Sequence, residues 1–397
     1  MNVKPFTTSL LAAAGLFSLG GCGGSGDSGT PPPPPVTKYS IGGSVSGLPA
    51  GATLTLANGS DSVDVTASGN FTFPTTAPSG TAYAASIKTQ SASATCRLQG
   101  GTGTVGNATV TGIAVSCAPV LLATLTFTSP PQFAVDSLGF AYLADTDQNA
   151  IRRLSPAGDL VIHAGGPAGA PFNKPNAVGI SRSGLLYVID QAADGSYRFR
   201  TVGLDGNFNI NTTPLAGVRY NWIAASAYEE LAAVDQGGAS VMRLNPKLGN
   251  TLITRADLVA VLAGTQGAAS SYAPASVVYG NETDSILYIA DSGNSVIYKA
   301  VPQGAITVFA GTPGVRGTAD GAAGSGSLNL TTASALAIDE QGNLYVSGSG
   351  PTRKIAPNGT LSTPQLAWGT PALSSIAYAK PMLYGRVQNT VIQTYLP

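Results

Sequence analysis

The strongest constraint on the fold is a segment that recurs along the last two thirds of the chain. Its clearest copy, residues 284–311, holds three short runs rich in Val, Ile and aromatic residues, separated by the turn sequences Asp-Ser-Gly-Asn and Pro-Gln-Gly. Such runs favour strands, and the separators favour tight turns because Asp and Asn bond their own backbone while glycine adopts positive φ. The segment therefore predicts an antiparallel meander of short strands.

Each copy carries a marker residue directly after the first of its three runs. The markers are spaced by 45, 45, 56 and 57 residues: Asp145, Asp190, Asp235, Asp291 and Gly348. A further apolar run precedes each marker run, which gives four strands per repeat. Self-similarity at this period is typical of β-propellers, in which each repeat forms one blade.

The two ends of the repeat region are predicted to form one blade together. Residues 374–396 offer only three apolar runs, and the run 121–127 (LLATLTF) lies just ahead of the first repeat. Because a closed propeller leaves no free sheet edge, we expect strand 121–127 to complete the last blade. The sequence thus predicts an all-β protein with a six-bladed propeller over residues 119–397.

The repeats also resemble a known family. Residues 131–154, 274–299 and 333–357 follow the pattern P-x-x-(V/I)-x-(V/I)-D-x-x-G-x-L-Y-(V/I)-A-D-(S/T)-x-N, with departures such as Gly348. This pattern is similar to the NHL-repeat family of β-propellers. The resemblance implies a fold and leaves function open, because propellers support unrelated activities.

The N-terminus has the features of an export signal. Residues 1–21 contain one Lys, an apolar run over 10–19 and then small residues, which is too short for a membrane-spanning helix. Leu-Gly-Gly-Cys at 19–22 resembles the bacterial lipobox, which implies cleavage before Cys22, acylation (palmitate included) of that residue, and membrane anchoring. The alternative is an ordinary cleaved signal. Gly23 after the lipidated cysteine resembles outer-membrane sorting, so we expect a location in the cell envelope.

Two segments separate this signal from the repeats. Residues 22–38 are rich in Gly, Ser and Pro and predict an extended tether. Residues 39–118 contain short alternating runs, which favour a small β-sandwich, and the segment resembles the Ig-like domains of bacterial lipoproteins. Its two cysteines, Cys96 and Cys117, predict a disulfide in an oxidising compartment. Two free buried thiols are the alternative.

The charge of the chain argues against one class of partner. Cleavage of the signal removes Lys4 and leaves 19 basic and 20 acidic residues. A near-neutral chain lacks the basic surface that nucleic-acid binding requires. We therefore expect no nucleic-acid partner.

The marker aspartates are candidate metal ligands. If Asp145, Asp190, Asp235 and Asp291 close equivalent strands, their carboxylates could surround the propeller axis and hold Ca²⁺. The alternative, which the sequence favours, is that each Asp caps its own turn and no cofactor is bound. The chain has one histidine, His163, and no Gly-x-Ser-x-Gly motif. These features favour a non-enzymatic role.

The predicted function is that of a membrane-anchored binding scaffold for an envelope protein, a peptide or a glycan. Aromatic and charged residues in or beside the blade connections form the predicted contact face: Arg219, Trp222, Tyr272, Arg316, Asp320 and Trp368. Blade packing is the alternative role of the two tryptophans. The alternative function is a metal-assisted hydrolase or lyase acting at the central face of the propeller.

Overall fold

The protein consists of small, mainly antiparallel β-sheets, seen here in a computed structural model. The structure describes residues 35–129, 132–166, 172–207, 213–215, 220–226, 230–237, 239–244, 251–262, 272–281, 286–301 and 304–396. The predicted signal peptide, Cys22 and most of the predicted tether lie outside these residues, as does Arg219. From Lys38 onwards the chain forms one compact unit. No helix among the described residues is long and apolar enough to cross a membrane.

The N-terminal part contains two four-stranded sheets and a two-stranded one. Its strands are β1 (Lys38–Tyr39), β2 (Ile41–Ser46), β3 (Leu54–Asn58), β4 (Asp61–Val65), β5 (Gly69–Thr72), β6 (Ala77–Pro78), β7 (Ala82–Gln90), β8 (Ala94–Gln99), β9 (Thr102–Thr104) and β10 (Val110–Pro119). The sheet orders are β5-β2-β10-β8 and β4-β3-β7-β9, with β1 paired to β6. Residues of both larger sheets share one hydrophobic core, in which Leu56 and Ile113 are fully buried.

Cys96 and Cys117 lie directly opposite each other on the antiparallel strands β8 and β10. They form a disulfide that links positions 21 residues apart in the sequence. The predicted pairing is confirmed.

Six four-stranded sheets follow. Sheet 1 holds β12 (Phe133–Val135), β13 (Ala141–Asp145), β14 (Ala150–Leu154) and β15 (Leu160–Gly165); sheet 2 holds β16 (Ala177–Ile180), β17 (Leu186–Gln191), β18 (Tyr197–Val202) and β19 (Thr213–Leu215); sheet 3 holds β20 (Tyr220–Ala225), β21 (Leu231–Asp235), β22 (Ser240–Leu244) and β23 (Thr251–Ile253). Sheet 4 holds β24 (Pro274–Tyr279), β25 (Leu287–Asp291), β26 (Val296–Ala300) and β27 (Ile306–Ala310); sheet 5 holds β28 (Leu336–Ile338), β29 (Leu344–Val346), β30 (Arg353–Ile355) and β31 (Leu361–Ser362). Each is a meander whose neighbouring strands are consecutive in the chain.

The sixth sheet joins the two ends of this region. Strands β32 (Ser375–Ala379), β33 (Met382–Val387) and β34 (Thr390–Tyr395) pair in order, and β11 (Leu121–Thr124) pairs antiparallel with β34. The strand ends at Thr124, three residues before the end expected from sequence, although Leu125 still donates a 2.6 Å backbone hydrogen bond to Asn389. The expected pairing of the N-terminal run with the last three strands is present.

The first strands of the six sheets form a ring of contacts. Each of β12, β16, β20, β24 and β28 contacts the first strand of the following sheet, and β32 contacts β12. The second strands of sheets 1 to 4 are buried at every residue except Gln191, which is partly buried, because neighbouring sheets cover both of their faces. This arrangement is β-propeller-like.

The Asp-x-x-Gly turns predicted between the first and second strands recur in sheets 1 and 5. Asp136 accepts 2.9 Å hydrogen bonds from the backbone N–H groups of Leu138 and Phe140, and it also accepts one from the Tyr142 hydroxyl. Gly139 has a φ of 86°, which glycine adopts without strain. Asp339 makes the equivalent bonds in sheet 5. The Asp-x-x-Gly part of the repeat pattern therefore stabilises the tight turn between the first and second strands.

One feature of the repeats was not predicted from sequence. Helix α1 (Arg255–Val261) follows sheet 3, and Thr254 caps it by exchanging hydrogen bonds with Asp257. Its Leu258 is fully buried in the main hydrophobic core.

Candidate functional site

The marker aspartates are buried and hold neighbouring elements together. Asp145 accepts a 2.8 Å hydrogen bond from Arg152 Nε on the next strand, and its side chain is 0% exposed. Asp190 accepts hydrogen bonds from Arg198 and Arg200 and from the backbone N–H of Asn173. In each case a carboxylate at the end of the second strand is neutralised by arginine from the third.

Asp291 and Asp235 make bonds of the same local kind. Asp291 accepts hydrogen bonds from the Asn294 side chain at 2.7 Å, from the Tyr298 hydroxyl and from the backbone N–H of Ala273. Burial and the Asp291 carboxylate raise the pKa of Tyr298 far above its ordinary value, so that the phenol stays a donor. Asp235 accepts a bond from the Gly237 N–H.

These carboxylates are not brought together as a metal site. Among the residues that the structure describes, no group of three or more His, Cys, Asp or Glu side chains is placed to hold a metal ion. The fifth marker position shows why an aspartate is absent there: a Cβ on Gly348 would lie 2.5 Å from the carbonyl oxygen of Asn329. The connection before sheet 5 occupies that space.

The predicted contact face is largely engaged within the protein. Trp222 and Tyr272 are each only 6% exposed, and burial raises the pKa of the Tyr272 hydroxyl well above its ordinary range. Trp368 is half-buried against the main core, and its indole nitrogen is buried without a hydrogen-bond partner. Both tryptophans therefore contribute to packing.

Arg316 and Asp320 help to fix the connection 311–332. The Arg316 guanidinium donates 2.6 Å hydrogen bonds to the carbonyl oxygens of Leu330 and Ser292. Asp320 accepts a 2.6 Å bond from Arg353, which also donates to Ser327 and Ala319 carbonyl oxygens. Two arginines thus clamp a connection that the sequence suggested was an open contact loop.

A different set of residues forms a pocket at one mouth of the ring. Its volume is about 410 Å³, within the range of about 300–1,000 Å³ that is usual for small-molecule sites. Seven of its lining residues are polar and uncharged: Thr128, Ser129, Thr146, Asn176, Asn221, Gln236 and Thr332. Trp222, Ala275 and Ala333 add apolar surface. They come from several sheets, so that no single repeat contains the site.

Two side-chain amides hold the walls of this pocket in place. Asn176 Nδ2 donates to the carbonyl oxygen of Tyr220 on sheet 3, and Gln236 Nε2 donates a 2.7 Å bond to the Thr332 carbonyl ahead of sheet 5. Each amide therefore uses one N–H group in a hydrogen bond to a backbone carbonyl oxygen. Burial, together with the Asp235 carboxylate, raises the pKa of Tyr220 to about 12, so this wall carries no phenolate.

Two bulges shape the same mouth. The pairing register shifts between Tyr220 and Trp222 in sheet 3, and between Pro274 and Ser276 in sheet 4. The extra residues are Asn221 and Ala275, and both line the pocket. A bulge changes the direction of a side chain, which would otherwise follow the alternation between the two faces of the sheet. Spacing within the sequence gives no signal for such a shift.

The pocket is separated from the channel beyond it. Trp222 lines both spaces, and its indole Nε1 donates a 2.9 Å hydrogen bond to the Val277 carbonyl. Gln132 lies beside it and bonds to the backbone of Ile223. The channel beyond has a volume of about 160 Å³ and apolar walls formed by the first strands. The mouth is therefore a polar recess over a largely apolar floor.

The chemistry of the recess suits binding. Its lining side chains are hydroxyls, amides, an indole and methyl groups. The one histidine of the chain, His163, lies in β15, the outermost strand of sheet 1, where its Nε2 is 3.0 Å from the Gly203 carbonyl oxygen. Hydroxyls and amides can orient a ligand through hydrogen bonds.

Comparison with known proteins supports the fold assignment. No family model and no curated protein sequence matches the chain. Among solved structures it is similar to a protein of unknown function from Bacteroides thetaiotaomicron, with a TM-score of 0.50 and 14% identity over 92% of this chain and 98% of that one. It is also similar to an auxiliary nutrient binding protein from the same organism (TM-score 0.49, 11% identity, 91% and 98% covered) and to virginiamycin B lyase from Staphylococcus aureus (0.44, 15%, 69% and 87%). At these identities the similarity concerns the fold alone.

Proposed function

We propose that this chain is a lipid-anchored protein of the cell envelope that binds a ligand in the polar mouth of a six-bladed, NHL-type propeller. The observation that carries the proposal is the recess of about 410 Å³ at one end of the ring. Its walls combine apolar surface with hydroxyl and amide groups that can orient a ligand, as binding sites do.

The architecture in this proposal has three supports. The first strands of six sheets contact one another in a ring, and β11 completes the sixth sheet. Asp136 and Asp339 cap tight turns at the positions where the NHL-like sequence pattern has Asp-x-x-Gly. Residues 39–118 contain two sheets around a shared core, which agrees with an Ig-like module between the tether and the propeller.

The location in the proposal rests on sequence and on the disulfide. Leu-Gly-Gly-Cys at 19–22 supplies the anchor, and the Cys96–Cys117 bond suits an oxidising compartment. A binding role suits the site better than the metal-assisted alternative because Asp145 and Asp190 are each neutralised by arginine.

Filling the recess tests the proposal. The full-length mature protein is purified in a polyoxyethylene detergent, incubated with small molecules extracted from the envelope, desalted and denatured, and the released species are identified by mass spectrometry. We expect a species that the wild type retains and that Ala333→Phe, which fills the recess, loses. Ala157→Phe is the matched control because Ala157 is exposed in the turn between β14 and β15. Equal retention, or no retention, by wild type and Ala333→Phe refutes the proposal.

A further inference from the structure

The walls of the recess define the kind of ligand that it can hold, if the proposed binding role is correct. Among the described residues, the polar side chains that line the recess are Thr128, Ser129, Thr146, Asn176, Asn221, Gln236 and Thr332, and each is neutral at every ordinary pH. A charged ligand that entered would lose hydration without gaining an opposite charge, which is costly. The recess therefore favours an uncharged ligand.

The hydrogen-bonding capacity of the walls is biased towards acceptors. Asn176 uses one N–H of its NH₂ group on the Tyr220 carbonyl in sheet 3, and Gln236 uses one on the Thr332 carbonyl ahead of sheet 5. These bonds fix which end of the amide is nitrogen, and each side-chain carbonyl oxygen keeps its lone pairs for a ligand. A ligand that can donate several hydrogen bonds suits these walls.

The remaining groups suit the same ligand. Thr146 uses its hydroxyl hydrogen in a long 3.4 Å bond to the Pro175 carbonyl, which leaves its oxygen as an acceptor. The Asn221 Oδ1 is buried without a hydrogen-bond partner, so the polar capacity of this wall is not exhausted within the protein. Trp222, Ala275 and Ala333 supply apolar surface for C–H groups.

We propose that the recess binds a neutral, hydroxyl-rich ligand, namely one or two units of an uncharged saccharide. Sugar hydroxyls donate to the fixed amide carbonyls and exchange bonds with the threonine hydroxyls. The C–H faces of the ring contact the apolar floor. The size of the recess, about 410 Å³, accommodates a ligand of this class.

Tryptophan fluorescence provides a direct test, because the chain has two tryptophans and Trp222 lines the recess. Trp368→Phe leaves Trp222 as the sole reporter. Full-length protein in a polyoxyethylene detergent is titrated with glucose, galactose, N-acetylglucosamine, maltose and cellobiose. Glucosamine, glucuronate and galacturonate serve as charged probes of similar size.

We expect at least one neutral sugar to change the Trp222 emission with saturation, and its charged analogue to bind at least tenfold more weakly. Thr332→Val removes a wall hydroxyl without changing the shape of the side chain and should weaken binding about fivefold. Thr307→Val on the outer strand β27 should leave the affinity unchanged within twofold.

Three results overturn the inference: tighter or equal binding of the charged analogue, no response to any neutral sugar, or equal effects of the two threonine changes. The retention experiment with Ala333→Phe separates this failure from that of the binding role. A retained species with no sugar response means that the recess binds another class of ligand, such as a peptide.

Discussion

The Gln132 side chain pairs with both backbone groups of Ile223: its Oε1 accepts a 2.9 Å hydrogen bond from the Ile223 N–H, and its Nε2 donates to the Ile223 carbonyl. Gln132 precedes the first strand of sheet 1, and Ile223 lies in the first strand of sheet 3. One buried amide therefore links two sheets that are not neighbours in the ring.

Removing this amide should destabilise the protein. Gln132 is 4% exposed, so Gln132→Leu leaves a donor and an acceptor of Ile223 buried without partners. We expect a loss of about 2–4 kcal/mol in the free energy of unfolding, measured by urea titration. Gln236→Leu removes an exposed inter-sheet amide bond and should cost about 1 kcal/mol or less. Equal losses in the free energy of unfolding for the two variants would show that the buried Gln132–Ile223 pair stabilises the protein no more than an exposed amide bond does.

The clamp on the connection 311–332 should depend on Arg353 more than on Arg316. Arg353 has a side chain that is 3% exposed and donates to two carbonyl oxygens and to Asp320. Arg353→Met should lower the free energy of unfolding by about 2–3 kcal/mol, because the carbonyl groups lose their partner while the 56%-exposed Asp320 stays hydrated. Arg316→Met, at an exposed residue, should cost about 1 kcal/mol. Proteolysis within the connection provides a second readout, and unchanged cleavage in Arg353→Met would contradict the clamp.

The strand β11 should be necessary for the sixth sheet. Deletion of residues 119–128 exposes the edge of β34 and part of the hydrophobic core around Leu122, so we expect aggregation or a marked fall in Tm. Deletion of residues 36–118 should have a smaller effect and leave the propeller folded. The control deletion also removes one contact with the sixth sheet, because the Thr95 hydroxyl accepts a 2.9 Å hydrogen bond from the Tyr395 N–H. If both deletions are tolerated equally, β11 is dispensable.

Mild acid should destabilise the protein through His163. Burial lowers the pKa of this imidazole below 6.5, and its position beside Arg153 adds to the effect, while the Gly203 carbonyl opposes it. Because the unfolded state then binds a proton more readily, stability is complete above about pH 6.5 and falls as the pH drops from there through the lower folded pKa. His163→Gln should remove this part of the pH dependence. Urea midpoints at pH 7.5 and 5.5 test it, and an identical pH response in the variant would contradict it.

The anchor is tested by fractionation. Because Cys22 follows Leu-Gly-Gly, Cys22→Ser should prevent lipidation and move the protein from the membrane fraction to the soluble fraction. Cys96→Ser together with Cys117→Ser removes the disulfide and should leave the protein with the membranes. If Cys22→Ser still sediments with membranes, the lipobox interpretation is wrong.

The sequence by itself determined the repeating architecture. Alternating runs and Asp-x-x-Gly turns are local properties, so the meanders, the turn at Asp136 and the use of residues 121–124 to complete a sheet could be predicted. The Cys96–Cys117 bond also followed from composition and compartment. Helix α1 was missed even though Thr254 and Asp257 form a capping pair, because two residues three positions apart are a weak signal among many strands.

Only the tertiary structure decided which residues line the recess. Residue type suggested exposed roles for Arg316, Trp222 and Trp368. In the structure Arg316 and Trp222 donate hydrogen bonds to backbone carbonyl oxygens, and Trp368 packs against the main hydrophobic core. Trp222 does line the recess, but most of the other lining residues are polar ones such as Asn176 and Gln236, which look like ordinary loop residues in sequence. They converge because bulges and inter-sheet bonds bring together positions about 60 residues apart, and a local pattern carries no information about such contacts.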